Sequence, residues 1–171
     1  MNYCKIVREN EFTNKYPECI DVYRVMNYVL NWNKAIHEVC GGNLLIGGSN
    51  VLVLGSQYIA RQFLGVQGDM SGCSRRLYHI IVSFDPEISR LLRISQIKFI
   101  ADKIINLYPE YQSLYVLHEN QENAHIHFLF NNIPVYTDCP KLTNKLNIGK
   151  IEYIFDSYIS DYVYKIPNGK Q

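Results

Sequence analysis

The chain has 171 residues, 47% hydrophobic and 19% charged, with a formal net charge of +1. This fits one globular domain spanning residues 1–171, long enough to bury a core. It excludes a membrane helix, since glycines interrupt even the apolar run NLLIGGSNVLVLG, and it lacks the basic excess common in nucleic-acid enzymes.

Along the chain, residues 3–7 (YCKIV) read as a first strand. From Pro17 to Leu30, the spacing of Ile20, Val22, Val25, Met26 and Val29 predicts an amphipathic helix, with Pro17 near its first turn. Gly41, Gly42, Gly47 and Gly48 mark a loop, residues 51–54 (VLVL) a strand, residues 57–64 a short helix and residues 65–74 a mobile loop. RLYHIIVSF (76–84) is a strand with Leu77, His79, Ile81 and Ser83 on one face. Ile97, Ile100, Ala101, Ile104 and Ile105 then predict a helix over residues 95–107. SLYVLH (113–118) and the strand through residue 130 form a hairpin around the polar turn ENQENA, followed by a strand at 133–137. Ile151, Ile154, Phe155, Tyr158, Ile159 and Tyr162 mark a last helix. This order of elements predicts an α+β two-layer sandwich, a mainly antiparallel sheet with helices on one face and the other open. No repeat, low-complexity tract or linker interrupts it.

Five cysteines, scattered and without a CxxC pair, read as reduced thiols. The segment MNYCKIVREN lacks the apolar run of a signal peptide, so the expected location is cytoplasmic with no membrane partner. Basic residues cluster locally at Arg75 and Arg76, Arg90 and Arg93, and Lys141, Lys145 and Lys150, a pattern that an ordinary solvated surface also produces.

Three of the five histidines fall within LHENQENAHIHFLFN. Alternation along a strand points His125 and His127 the same way, with Leu129 and Asn131, while Ile126, Phe128 and Phe130 point to the core. If His118 pairs with His125 across the hairpin, three imidazoles converge on one face. A lone HxH often only decorates a surface; a third histidine at hairpin spacing describes a metal site. Three nitrogen donors with positions left open suit a catalytic ion better than a closed structural one.

These segments resemble the relaxases, or mobilization nucleases, of conjugative and mobilizable plasmids, within the HUH endonuclease superfamily. The family's metal motif runs roughly H-x-D-x-x-H-x-H-x-H-x-x-x-N, and His118, His125, His127 and Asn131 fall at its first, eighth, tenth and fourteenth places. RLYHIIVSFDPE is similar to the family's aromatic-His-Ile-Ile-x-Ser-Phe-x-Pro strand, and YVLNWNK to its Tyr-Ile-x-Asn-Pro-x-Lys segment. The resemblance therefore implies Tyr28 as the nucleophile, with Tyr23 as the alternative. It implies His118, His125 and His127 as ligands of a divalent metal, and Asn31, Lys34, Arg76, His79 and Asn131 as supporting or DNA-binding residues. Magnesium or manganese follows from the resemblance, whereas neutral imidazoles by themselves favour other transition metals.

The implied partner is single-stranded DNA at a transfer origin, with accessory mobilization proteins. The implied activity is site- and strand-specific nicking through a 5′-phosphotyrosine. Two departures stand out: Asn120 replaces the usual aspartate and Asn123 a further histidine, with Glu119 or Glu122 as possible substitutes. Trp32 also replaces a proline. The alternatives are a relaxase-fold module that binds DNA without cleaving it, and a rolling-circle replication initiator of the same superfamily.

Overall fold

The computed structural model describes residues 4–8, 16–31, 33–37, 44–68, 75–119 and 124–164. Its strands are β1 (Cys4–Arg8), β2 (Ile46–Ser49), β3 (Leu77–Phe84), β4 (Tyr111–Glu119) and β5 (Ala124–Pro134). The helices are α1 (Cys19–Val29), α2 (Ser56–Gln67), α3 (Pro86–Leu91), α4 (Ile94–Ile105) and α5 (Ile148–Tyr164), with a short 3-10 turn at Leu142–Asn144. The strands form one sheet in the order β1-β3-β5-β4-β2, with antiparallel pairing throughout. The chain is α+β with a central antiparallel sheet.

Central strand β5 decides the layering. Ile126, Phe128 and Phe130 are fully buried and join Ile80, Val82, Tyr115 and Leu117 beneath Ile100 and Ile104 of α4 and Phe155 of α5. Each such side chain contributes about 1.5–3 kcal/mol by leaving water. The opposite face is not open throughout, as a two-layer sandwich would leave it. Val22, Val25, Met26 and Val29 of α1 and Ile59, Ala60 and Phe63 of α2 pack there against Leu77, Leu114, Val116 and Leu129. The physical reason is the apolar end of that face: Leu77, Leu114 and Leu129 need cover.

Several boundaries differ from the sequence reading. Residues 51–54 are not a strand, and Leu52, Val53 and Leu54 are exposed. Asn50 adopts a left-handed φ of 54° and turns the chain out of the sheet. The Leu52 backbone is then satisfied by the Gln62 amide, whose Oε1 accepts from the Leu52 N–H at 2.7 Å and whose Nε2 donates to the Leu52 carbonyl at 2.9 Å. Gly47 and Gly48 belong to β2, where the Tyr115 ring lies over Gly47 so closely that a β-carbon would collide with it. Residues 65–67 continue α2, which ends at Gly68 with φ 57°. Ile133 and Pro134 finish β5, and residues 135–137 turn away. Helix α3 adds an element to that reading, and Asp85-Pro86-Glu87 carries its start: the Asp85 carboxylate accepts from the Glu87 N–H at 2.9 Å and Pro86 opens the first turn.

Tyr3, Trp32, Gly41, Gly42, residues 69–74, Asn120, Glu122, Asn123 and the rest of the hairpin turn, and the Glu119 side chain, lie outside the described residues. Cys19 and Cys139 are free thiols. No helix among the described residues is long and apolar enough to cross a membrane.

Candidate metal and nucleophile site

The β4–β5 register sets His118 opposite His125 and Val116 opposite His127. Because strand side chains alternate, all three histidines share a face. One donor nitrogen from each lies within 4.8 Å of the others, so the rings can converge on a single ion. His118 and His127 are buried and His125 is half-buried.

The second nitrogen of two rings has a named partner. His118 Nε2 lies 2.6 Å from the Val29 carbonyl. A carbonyl can only accept, so Nε2 carries the proton and the lone pair of Nδ1 is available for coordination. His127 Nδ1 lies 2.8 Å from His79 Nε2, while the buried His127 Nε2 has no hydrogen-bond partner. A buried nitrogen without a partner costs free energy unless something fills its lone pair. The residues present therefore fit a divalent metal.

Electrostatics agree. Burial, followed by the charges of His118, His79, His125 and Lys34, pushes His127 from its ordinary 6.5 down to about 2. Burial likewise lowers His118, with the Val29 hydrogen bond opposing and His125, Lys34 and His79 assisting. Neutral rings are what coordination requires.

Tyr28 sits on the exposed flank of α1, beside the cluster. Its ring meets His127 edge-on with centroids 5.6 Å apart, and His79 at 6.3 Å. Lys34 Nζ lies 5.0 Å from the Tyr28 ring centroid. Asn31 shapes the connection between them: its side-chain oxygen accepts from the Asn33 N–H at 3.0 Å, and its carbonyl accepts from the Lys34 and Ala35 N–H groups. The next residues run beside β4, Ile36 N–H donating to the Leu117 carbonyl at 2.8 Å. Tyr23, by contrast, packs against the α1–α2 core.

Two anticipated residues lie elsewhere. Asn131 is fully buried, its amide nitrogen donating to Gln112 and the Phe63 carbonyl and its oxygen accepting from Gln67 and the Ile133 N–H. Arg76 is also buried, donating to the Pro17 carbonyl at 2.7 Å and to Gln67 at 3.1 Å. Both hold elements together beneath the surface. Sequence reasoning missed Tyr16, whose hydroxyl lies 3.1 Å from His79 Nδ1, and the Val29 carbonyl. Neither carries a local signal, since 63 residues separate Tyr16 from His79. Tyr16, Arg24, Val25, Tyr28 and His79 line an open pocket of about 270 Å³ beside the cluster.

The family model for the MobA/VirD2-like relaxase nuclease domain matches residues 28–160. The chain belongs to this family. The matched span begins at Tyr28 and contains all three histidines of the cluster. No curated protein and no solved structure matches the chain. Membership gives this relaxase domain a DNA-nicking function of the relaxase type. Relaxase domains bind single-stranded DNA at origins of transfer and generally use a divalent metal, which the histidine triad here can hold.

Proposed function

We propose that the chain is a site- and strand-specific nicking transesterase in which Tyr28 is the nucleophile and His118, His125 and His127 hold the metal. The observation that carries this reading is the edge-on contact of Tyr28 with His127, a ring whose outer nitrogen is buried and unpaired. The Tyr28 oxygen bonds to the scissile phosphorus as the bond from phosphorus to the 3′-oxygen breaks. The phenol gives up its proton, the departing 3′-oxygen takes one up, and the DNA 5′ end remains joined to tyrosine. A free 3′-hydroxyl reverses the exchange, so the phosphodiester energy is conserved. Lys34 over the Tyr28 ring favours the negative charge that develops on the phenolic oxygen. A divalent ion at the triad supplies Lewis-acid polarisation of nonbridging phosphate oxygens. Magnesium or manganese is the proposed metal, and a mobilizable plasmid or integrative element the proposed setting, with accessory mobilization proteins as partners.

The test is incubation with labelled single-stranded oligonucleotides from candidate transfer origins plus manganese or magnesium, followed by a denaturing gel. A covalent protein–DNA adduct that disappears in Tyr28→Phe and in His125→Ala supports the reading. Cleavage unchanged in Tyr28→Phe rejects the nucleophile. Binding without an adduct on a true origin supports the non-cleaving module instead.

A further inference from the structure

We propose that Tyr16 and His79 are positioning residues for His127, together holding its imidazole in the tautomer that turns the Nε2 lone pair to the metal. The inference rests on the metal-centre reading above and goes beyond it, since it assigns a role to a segment outside the matched family span.

The chemistry runs from the metal outward. His127 can coordinate through Nε2 only if its proton sits on Nδ1. Nδ1 is 2.8 Å from His79 Nε2, so that proton is donated to His79. A neutral His79 that accepts at Nε2 carries its own proton on Nδ1, and Nδ1 is 3.1 Å from the Tyr16 oxygen, which accepts it. One donor orientation therefore runs through all three side chains. A ligating imidazole usually gives its other N–H to a carboxylate, carbonyl or water. Here a second imidazole takes that place, in a chain with asparagine at residue 120.

The backbone supports a dedicated role for Tyr16. Its φ of 46° is left-handed, which its β-carbon disfavours, and it precedes Pro17, which disfavours it further. Such backbone persists only where surrounding contacts over-determine it. Arg76 provides one, its guanidinium donating to the Pro17 carbonyl at 2.7 Å from a buried position. The strained residue is thus clamped by Arg76, just before β3, with its hydroxyl on His79.

The experiment combines nitrogen-15 NMR of histidine-labelled protein with Mn2+ calorimetry on the metal-free chain, for wild type, Tyr16→Phe, His79→Leu and His79→Gln. Wild-type His127 is expected to carry its proton on Nδ1, and His79→Leu to lose that preference. Mn2+ affinity is expected to fall about 10- to 100-fold in His79→Leu and about tenfold in Tyr16→Phe. His79→Gln, whose amide oxygen can still accept, should recover most of the loss. A purely structural role would lower the metal-free melting temperature without moving the tautomer. His127 protonated on Nε2 in the wild type, or Tyr16→Phe and His79→Leu with unchanged tautomer and Mn2+ affinity, overturns the relay alone. Failure of the wild type to take up Mn2+ overturns the metal reading and the proposal with it. Should His79→Leu not fold, Tyr16→Phe on the half-buried side still decides.

Discussion

His118, a candidate metal ligand on β4, donates from Nε2 to the carbonyl of Val29, the residue that follows Tyr28. One hydrogen bond thus ties the end of α1, which bears the proposed nucleophile, to the histidine cluster. The same bond selects the His118 tautomer, so the coordinating nitrogen of His118 and the placement of Tyr28 are linked through a single imidazole.

That link separates two histidine variants. Both His118→Ala and His125→Ala are expected to lose metal uptake in calorimetry. His118 is 1% exposed and its loss leaves the Val29 carbonyl unpaired, so His118→Ala should also destabilise the metal-free protein by about 1–3 kcal/mol. Half-buried His125 should cost about 1 kcal/mol or less. Urea unfolding of both variants checks the order, and equal losses contradict it.

Tyr28→Phe should behave differently from either. Its side chain is 45% exposed, so removal of the hydroxyl should change stability by less than about 0.5 kcal/mol. DNA binding should persist, measured by fluorescence anisotropy, while the covalent adduct disappears from the denaturing gel.

Acid should destabilise the metal-free protein. The folded value of His127, about 2, lies below its ordinary 6.5. Below 6.5 the unfolded chain therefore binds a proton that the folded chain refuses. Stability is complete above pH 6.5 and declines as pH falls, by about 1.4 kcal/mol per unit for this residue. The lowered His118 adds to the same slope. Chemical denaturation at pH 7.5, 6 and 5 tests this. Saturating manganese should raise stability at pH 7.5 and have a smaller effect at pH 5, because protons compete for the same nitrogens. Stability flat across the range sinks the argument.

Asn131→Ala should act on the fold and not on the chemistry. It leaves groups on Gln112, Gln67, Phe63 and Ile133 with one partner fewer in a buried site. The expected loss is about 2–4 kcal/mol in urea unfolding. Manganese affinity below the melting transition should stay near the wild-type value, and a selective loss of metal would place Asn131 in the site instead.

What the sequence determined on its own were features governed by local period and register. Alternation along β5 settled which face carries the histidines, because strand side chains repeat every two residues. The spacing of His118 and His125 around a short polar turn set their pairing, which the register reproduces. Spacings of three and four marked α1, α4 and α5 for the same kind of reason. The α+β class follows from those elements.

The tertiary structure alone decided how distant segments meet. Helices α1 and α2 cover the apolar end of the histidine face, and at the other end His125 is half-buried. Arg76 and Asn131 became buried clamps because the groups they satisfy come from residues such as Pro17, Phe63 and Gln67, far away in sequence. The Val29 carbonyl and the Tyr16 hydroxyl reached the histidines by the same long-range packing. A backbone carbonyl has no residue identity to read, and a tyrosine among fourteen carries no mark of its partner. Such contacts are decided by the packing of whole elements, which no local period encodes.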